Sequence, residues 1–192
     1  MASPYVLTYT GRKLDLFMPD PESIDIMDIA VALSRECRFS GQSRRFYSVA
    51  QHSVHASGIV SPEFALEALL HDGTEAYLRD LSSPLKSLLP DYQLIEKGLD
   101  EAIRSKFSLP RTLSPEVRRA DLVMLATERR DLMAPDDGPG WAVLNGVDPL
   151  PETLPEWESR IAFNHFFARF IELFGNRVLS ETDSGIAKFS PC

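Results

Sequence analysis

Cysteine is nearly absent: the 192 residues contain two, Cys37 and Cys192. Two thiols, one of them at the last position, cannot supply a disulfide framework, and a reducing, cytoplasmic setting is expected. Apolar runs are short, and none approaches the roughly 20 residues that a bilayer-spanning helix needs. Met1-Ala-Ser-Pro-Tyr5 has neither the basic nor the apolar region of a signal peptide. Positive charge is in deficit as well. With 20 Lys and Arg against 28 Asp and Glu the net charge is −8, which argues against a general nucleic-acid or anionic-membrane surface. There is no internal repeat and no low-complexity tract. The remainder is an ordinary globular mixture, 44% hydrophobic and 25% charged, at a length that fits one domain with its own core.

Residues Tyr5 to Phe17 alternate around Thr10-Gly11 and predict a β-hairpin, ended by Pro19 and Pro21. From about Asp25 the period becomes helical, with Ile26, Ile29, Ala30 and Leu33 on one face. Arg38 to Tyr47 reads as a basic loop. Ser48-x-x-Gln51 is a capping box opening a helix to about Val60. Ser61-Pro62 and Ser114-Pro115 are cap-and-proline starts for helices through Leu70 and about Met133, and Gly73 marks a local break. Asp91 to Phe107 reads as a helix with Leu94, Leu99 and Ile103 inward. Ala134 to Pro155 holds five prolines and three glycines, a long loop of the kind that covers a site or moves. Pro155 or Glu156 opens a last helix to Phe174. Its wide face of Ile161, Phe163, Phe166, Phe167, Phe170, Ile171 and Phe174 suits a core or a homodimer interface. The expected fold is all-α with a short N-terminal β-hairpin, a single domain over residues 1–177 and a frayed tail over 178–192.

Candidate chemistry gathers around histidine. The chain has four: His52, His55, His71 and His165. His71-Asp72 ends the apolar stretch Phe64–Leu70, where two polar side chains are costly to bury without a purpose. Glu75 lies four residues after His71, on the same side if the helix continues. Asp80 precedes the Pro84 turn. His52 sits early in the capped helix, and Asp121 lies in Val117–Met124 with apolar neighbours. Taken singly, His52 reads as a half-buried histidine and Asp121 as a helix residue paired with Arg118 or Arg119. Taken together, two imidazoles and two carboxylates suit Mn, Fe, Co, Zn or Ni better than calcium, with coordination positions left for water and substrate. His55, three residues from His52, offers a rival metal pair without an evident carboxylate. His165 reads as a rim residue of the aromatic helix.

Arg38-Phe39, Tyr47-Ser-Val-Ala-Gln-His-Ser53, Leu70-His-Asp-Gly-Thr-Glu-Ala76, Asp80-Leu-Ser-Ser-Pro-Leu-Lys86 and Ala120-Asp121 together resemble the HD-domain metal-dependent phosphohydrolases. The nearest likeness is to bacterial 5′-deoxynucleotidases and phage deoxyadenosine triphosphate triphosphohydrolases. The resemblance covers residues 38 to 121 and implies an HD-domain helical bundle. It implies that His52, His71, Asp72 and Asp121 ligate one divalent metal (Co, Mn, Zn, Fe, Ni or Mg). Glu75 would orient or deprotonate the attacking water, and Asp80 would assist. Arg38 and Lys86 would meet the phosphate, with Arg44, Arg45 and Arg79 as weaker candidates. Phe39 stands where the deoxynucleotidases carry tryptophan, against the sugar edge. The implied reaction is cleavage of the 5′ phosphoester of (2′-deoxy)nucleotides, releasing phosphate or triphosphate. Two alternatives stay open: an HD-type hydrolase of cyclic or hyperphosphorylated guanine nucleotides, and a non-catalytic nucleotide-sensing module.

Overall fold

A computed structural model describes residues 4–135 and 140–186, with side chains described through Arg177. Strands β1 (Tyr5–Leu7) and β2 (Lys13–Asp15) pair antiparallel with Val6 opposite Leu14. The hairpin is fastened at two points. Leu14 is fully buried, and the buried Asp28 carboxylate accepts from Thr10 N at 2.7 Å and Thr10 Oγ1 at 2.9 Å. Tyr5 and Leu7 on the neighbouring strand stay exposed.

Among the described residues, everything regular after the hairpin is helical: α1 (Ile26–Arg35), α2 (Val49–Ile59), α3 (Ala65–Leu70), α4 (Glu75–Leu78), α5 (Ser83–Lys86), α6 (Pro90–Lys106), α7 (Pro115–Leu132) and α8 (Ser159–Ile186). Asp25 caps α1, and Ser48 Oγ caps α2 by accepting from Gln51 N at 3.1 Å. Only this half of the capping box forms. Gln51 Nε2 instead donates to Pro155 O at 2.8 Å and ties α2 to the approach of α8. Ser61-Pro62 opens a single 3-10 turn that runs into α3.

Helix α8 packs on α1, α2 and α3, around Ile29, Leu33, Leu69, Leu99, Ile103 and Phe166. A second apolar cluster (Tyr47, Ala56, Met124, Leu132 and Leu154) joins α2, α7 and the long loop. The buried Arg104 binds Glu67 at 3.0 Å and Asp100 at 2.8 Å, and Glu67 also accepts from Ser114 N, so α3, α6 and the start of α7 are locked together. No helix among the described residues is long and apolar enough to cross a membrane.

Three expectations need correction. Leu94 is 71% exposed, because α6 meets the core only through its C-terminal half, where Leu99 and Ile103 are buried. The last helix starts at Ser159, rather than at Pro155 or Glu156, and continues to Ile186, past the expected end at Phe174. Residues 187–192 of the expected tail lie outside the described residues, Cys192 included. Ile161 and Ile171 of the apolar stripe point outward, while Phe166 and Phe170 fill the chain's own core. The long loop is pinned along α7. Arg130 donates to Leu150 O and Glu152 O, Leu150 N to Thr127 Oγ1 at 2.9 Å, and Leu154 N to Asp131 Oδ2 at 2.9 Å.

Candidate metal centre

Three segments supply the site. Helix α2 carries His52, fully buried one turn inside its Ser48 cap. His71 and Asp72 lie just past the end of α3, in a tight turn rather than on a continued helix. Gly73 eases that turn, since a Cβ there would stand only 3.0 Å from Leu70 O. The turn closes through Gly73 N to Leu70 O and Glu75 N to Asp72 O, and it delivers Glu75 at the start of α4. Helix α7 carries Asp121.

These side chains converge. His52 Nε2 and His71 Nε2 are 3.3 Å apart. Asp72 Oδ2 lies 3.6 Å from the first nitrogen and 3.3 Å from the second. Asp121 Oδ1 lies 3.3 and 3.8 Å from the same two atoms. Donor atoms of His52, His71 and Asp72 all fall within 4.8 Å of one another, a cluster that could hold a metal ion.

The other nitrogen of each ring is already committed. His71 Nδ1 lies 2.7 Å from Ala68 O, and a carbonyl can only accept, so Nδ1 carries the hydrogen. His52 Nδ1 lies 2.6 Å from Glu128 Oε1. Burial opposes ionisation of Glu128, but Arg38 and His52 hold its carboxyl below the usual range, so it too accepts. In neutral imidazoles both Nε2 atoms then present bare lone pairs to each other, an unfavourable contact unless a proton or a cation stands between them. Two nitrogen ligands each about 2.1 Å from a shared ion at ordinary bond angles would stand about 3.0–3.4 Å apart; the observed separation fits. Tying the remote nitrogen to a carboxylate or carbonyl is the usual way a metal-ligating histidine is oriented.

Charge in the site favours a cation. Burial and the Arg38 charge act against protonation of His52, yet Glu128 and Asp121 prevail and its pKa is pushed up to about 9. His71 is raised against its burial by Asp72 and Asp121. The imidazoles in turn hold the half-buried Asp121 carboxyl far below the usual range, in spite of its desolvation.

Glu75 is buried, and its Oε2 has no hydrogen-bond partner among the described residues. Desolvation, reinforced by Asp72 and Asp80, holds its carboxyl well above the ordinary range. Asp80 is raised by burial and by Asp72, while it accepts from Phe39 N at 3.3 Å.

Comparison with models of known protein families finds no match. Relatives are found among individual proteins. Over 172 residues the chain is 46% identical to the Escherichia coli (strain K12) protein named "Uncharacterized protein YfdR", covering 90% of this chain and 94% of that one. The chain belongs to the YfdR family. An uncharacterized protein of Rhodobacter capsulatus is 36% identical over 121 residues, 58% of this chain and 62% of that protein.

In this YfdR-family chain the expected phosphate partners are engaged by acids. Arg38 is buried, with Nη2 3.2 Å from Glu128 Oε2 and Nη1 3.4 Å from Asp72 Oδ2 and 4.0 Å from Asp80 Oδ2. It acts as a brace between α7 and the His71–Asp80 segment. Lys86 donates to Glu96 Oε1 at 2.6 Å and lies within electrostatic reach of Glu75 and Asp72. Arg45 reaches Glu156 and Leu154 O, and Arg79 reaches Glu36. Phe39 adjoins Arg38, whose Cζ lies 5.4 Å from the ring centroid. His55 leaves the site altogether: it faces Trp157, with ring centroids 5.0 Å apart, and His165 stacks on the same indole at 4.2 Å.

Sequence reasoning missed Glu128, which is wholly buried. A signal was present: Glu128 follows Asp121 by seven residues, two turns of α7, and so shares its face.

Proposed function

We propose that this chain is a metal-dependent phosphohydrolase of the HD-domain type, acting on the 5′ phosphoester of (2′-deoxy)nucleotides. The observation that carries the reading is the opposed pair of Nε2 atoms at 3.3 Å, flanked by Asp72 and Asp121, with each remote nitrogen tied down. In this reading His52, His71, Asp72 and Asp121 hold one divalent ion. When bound, that ion supplies Lewis acidity toward a phosphoryl oxygen and lowers the pKa of water.

The chain's own residues account for the rest. Glu75 follows the ligand pair by one tight turn, and its Oε2, without a hydrogen-bond partner among the described residues, is available to take a proton from water or align it. Its raised pKa suits a group that must hold and release a proton. Asp80 keeps Arg38-Phe39 in place through Phe39 N. Arg38 balances the surrounding carboxylates, and Lys86, once released by Glu96, has the reach to neutralise charge on a phosphate. A sensing module has no need of a water-activating carboxyl, and Glu75, buried beside Asp72, supports the enzyme reading.

The test is a panel of deoxy- and ribonucleotide mono- and triphosphates, and of cyclic and hyperphosphorylated guanine nucleotides, with Mn, Co, Zn, Ni or Mg. Products are separated by chromatography. Release of deoxynucleoside from deoxynucleotides is expected, and turnover of the guanine compounds alone would move the assignment to the alternative hydrolase.

A further inference from the structure

Phe39 and the following Ser40 both have left-handed backbones, φ 57° and 51°, which non-glycine residues adopt at a cost. Asp80 holds this conformation through Phe39 N. It sets the Phe39 ring against Trp141 of the long loop, with centroids 6.0 Å apart and planes tilted by 53°. Arg38 Cζ lies 5.4 Å from the centroid of the Phe39 ring, and that of Arg129 on α7 5.6 Å from the centroid of Trp141. Gly140 permits the approach: its φ is +77°, and a Cβ there would crowd the Arg129 guanidinium at 3.2 Å.

Core packing does not explain Trp141. It lies outside both buried clusters, and the loop is already fastened to α7 through Arg130, Thr127 and Asp131. Both rings are half-buried and tilted rather than stacked, so each residue keeps part of its surface open. The pair begins one residue after Arg38, which touches the Asp72 carboxylate of the metal cluster. A chain of contacts thus runs from the Asp72 carboxylate through Arg38 and Phe39 to Trp141.

Resting on the phosphohydrolase reading above, we propose that Trp141, with Phe39, is the base-reading element of this site and stacks the heteroaromatic base of the nucleotide. Stacking uses the π-face that every base has, so all four bases are accepted with little discrimination.

The test measures binding by calorimetry in the Glu75→Gln background loaded with Mn, where substrate is not consumed. Probes are the four deoxynucleoside monophosphates and 2-deoxyribose 5-phosphate. The nucleotides should bind about tenfold or more tighter than the sugar phosphate, with a smaller spread among the bases. Trp141→Ala should abolish that advantage and leave sugar-phosphate affinity unchanged, and Trp141→Phe should keep most of it. Equal affinity for nucleotide and sugar phosphate, or an advantage that survives Trp141→Ala, overturns the base-reading role alone. Absence of sugar-phosphate binding overturns the phosphohydrolase reading beneath it.

Discussion

Glu128 Oε1 lies 2.6 Å from His52 Nδ1, both side chains wholly buried. This hydrogen bond decides which face of the imidazole looks toward His71, Asp72 and Asp121. The same carboxylate also holds Arg38 at 3.2 Å, so one buried acid sets both a candidate ligand and the brace behind the site.

Replacing Glu128 by Gln should weaken divalent-metal affinity by about 10–100-fold, the range seen when the partner of a ligating histidine is altered. Calorimetric titration with Mn or Co measures it. Affinity within about twofold of the parent would show that the Glu128 contact does not orient His52.

His71→Ala and Asp72→Ala should each lose metal and turnover together, because one missing ligand leaves the remaining charges uncompensated. Elemental analysis of the purified variants decides the point, and full occupancy in either would contradict the ligand assignment.

Glu75→Gln should retain the metal and lose about 100-fold or more in turnover. It also carries a stability signature. The folded-state pKa of Glu75 is raised by desolvation, then by Asp72 and Asp80. The stabilising contribution of its protonated form is therefore present below the unfolded carboxyl pKa and is lost as pH rises through the folded value. The Gln variant has no such loss, so in metal-free protein its thermal stability should gain on the parent as pH rises from the unfolded carboxyl pKa through the folded value. A constant difference across that range would place Glu75 in a solvated environment.

Metal affinity should rise with pH. The His52 pKa of about 9 means that a proton occupies the site at neutral pH and must leave before a cation enters. Titration in buffers of different ionisation heat should register proton release that shrinks toward about pH 9. Affinity flat from about pH 6 to about pH 9 would contradict the competition.

Leu99→Ala should cost about 2–5 kcal/mol, as a fully buried leucine in the main core. Leu94→Ala, on the exposed side of the same helix, should stay within about 0.5 kcal/mol. Denaturant unfolding of the pair tests how α6 is seated.

The helical architecture was legible because its signals are local: the Ser48 cap, prolines at first-turn positions, and the 3.6-residue period of α1. His71-Asp72 was legible as a polar pair ending an apolar stretch, whereas His52 and Asp121, ordinary residues when taken singly, were joined to it through the resemblance to the HD-domain phosphohydrolases. Three things were not. Leu94 and Leu99 look alike in the sequence, and only the tertiary placement of α6 separates them. Glu128 looks like any helical acid until α2 and α7 are packed together. Trp141 was hidden for a similar reason: nothing near it in the chain indicates that the loop folds back onto Phe39, 102 positions earlier.

Four side chains from three segments are expected to share one cation. Anomalous diffraction from crystals grown with Co or Mn measures this directly. A single strong peak is expected within bonding distance of His52 Nε2, His71 Nε2, an Asp72 oxygen and an Asp121 oxygen. A peak elsewhere, or an empty site at saturating metal, would contradict it.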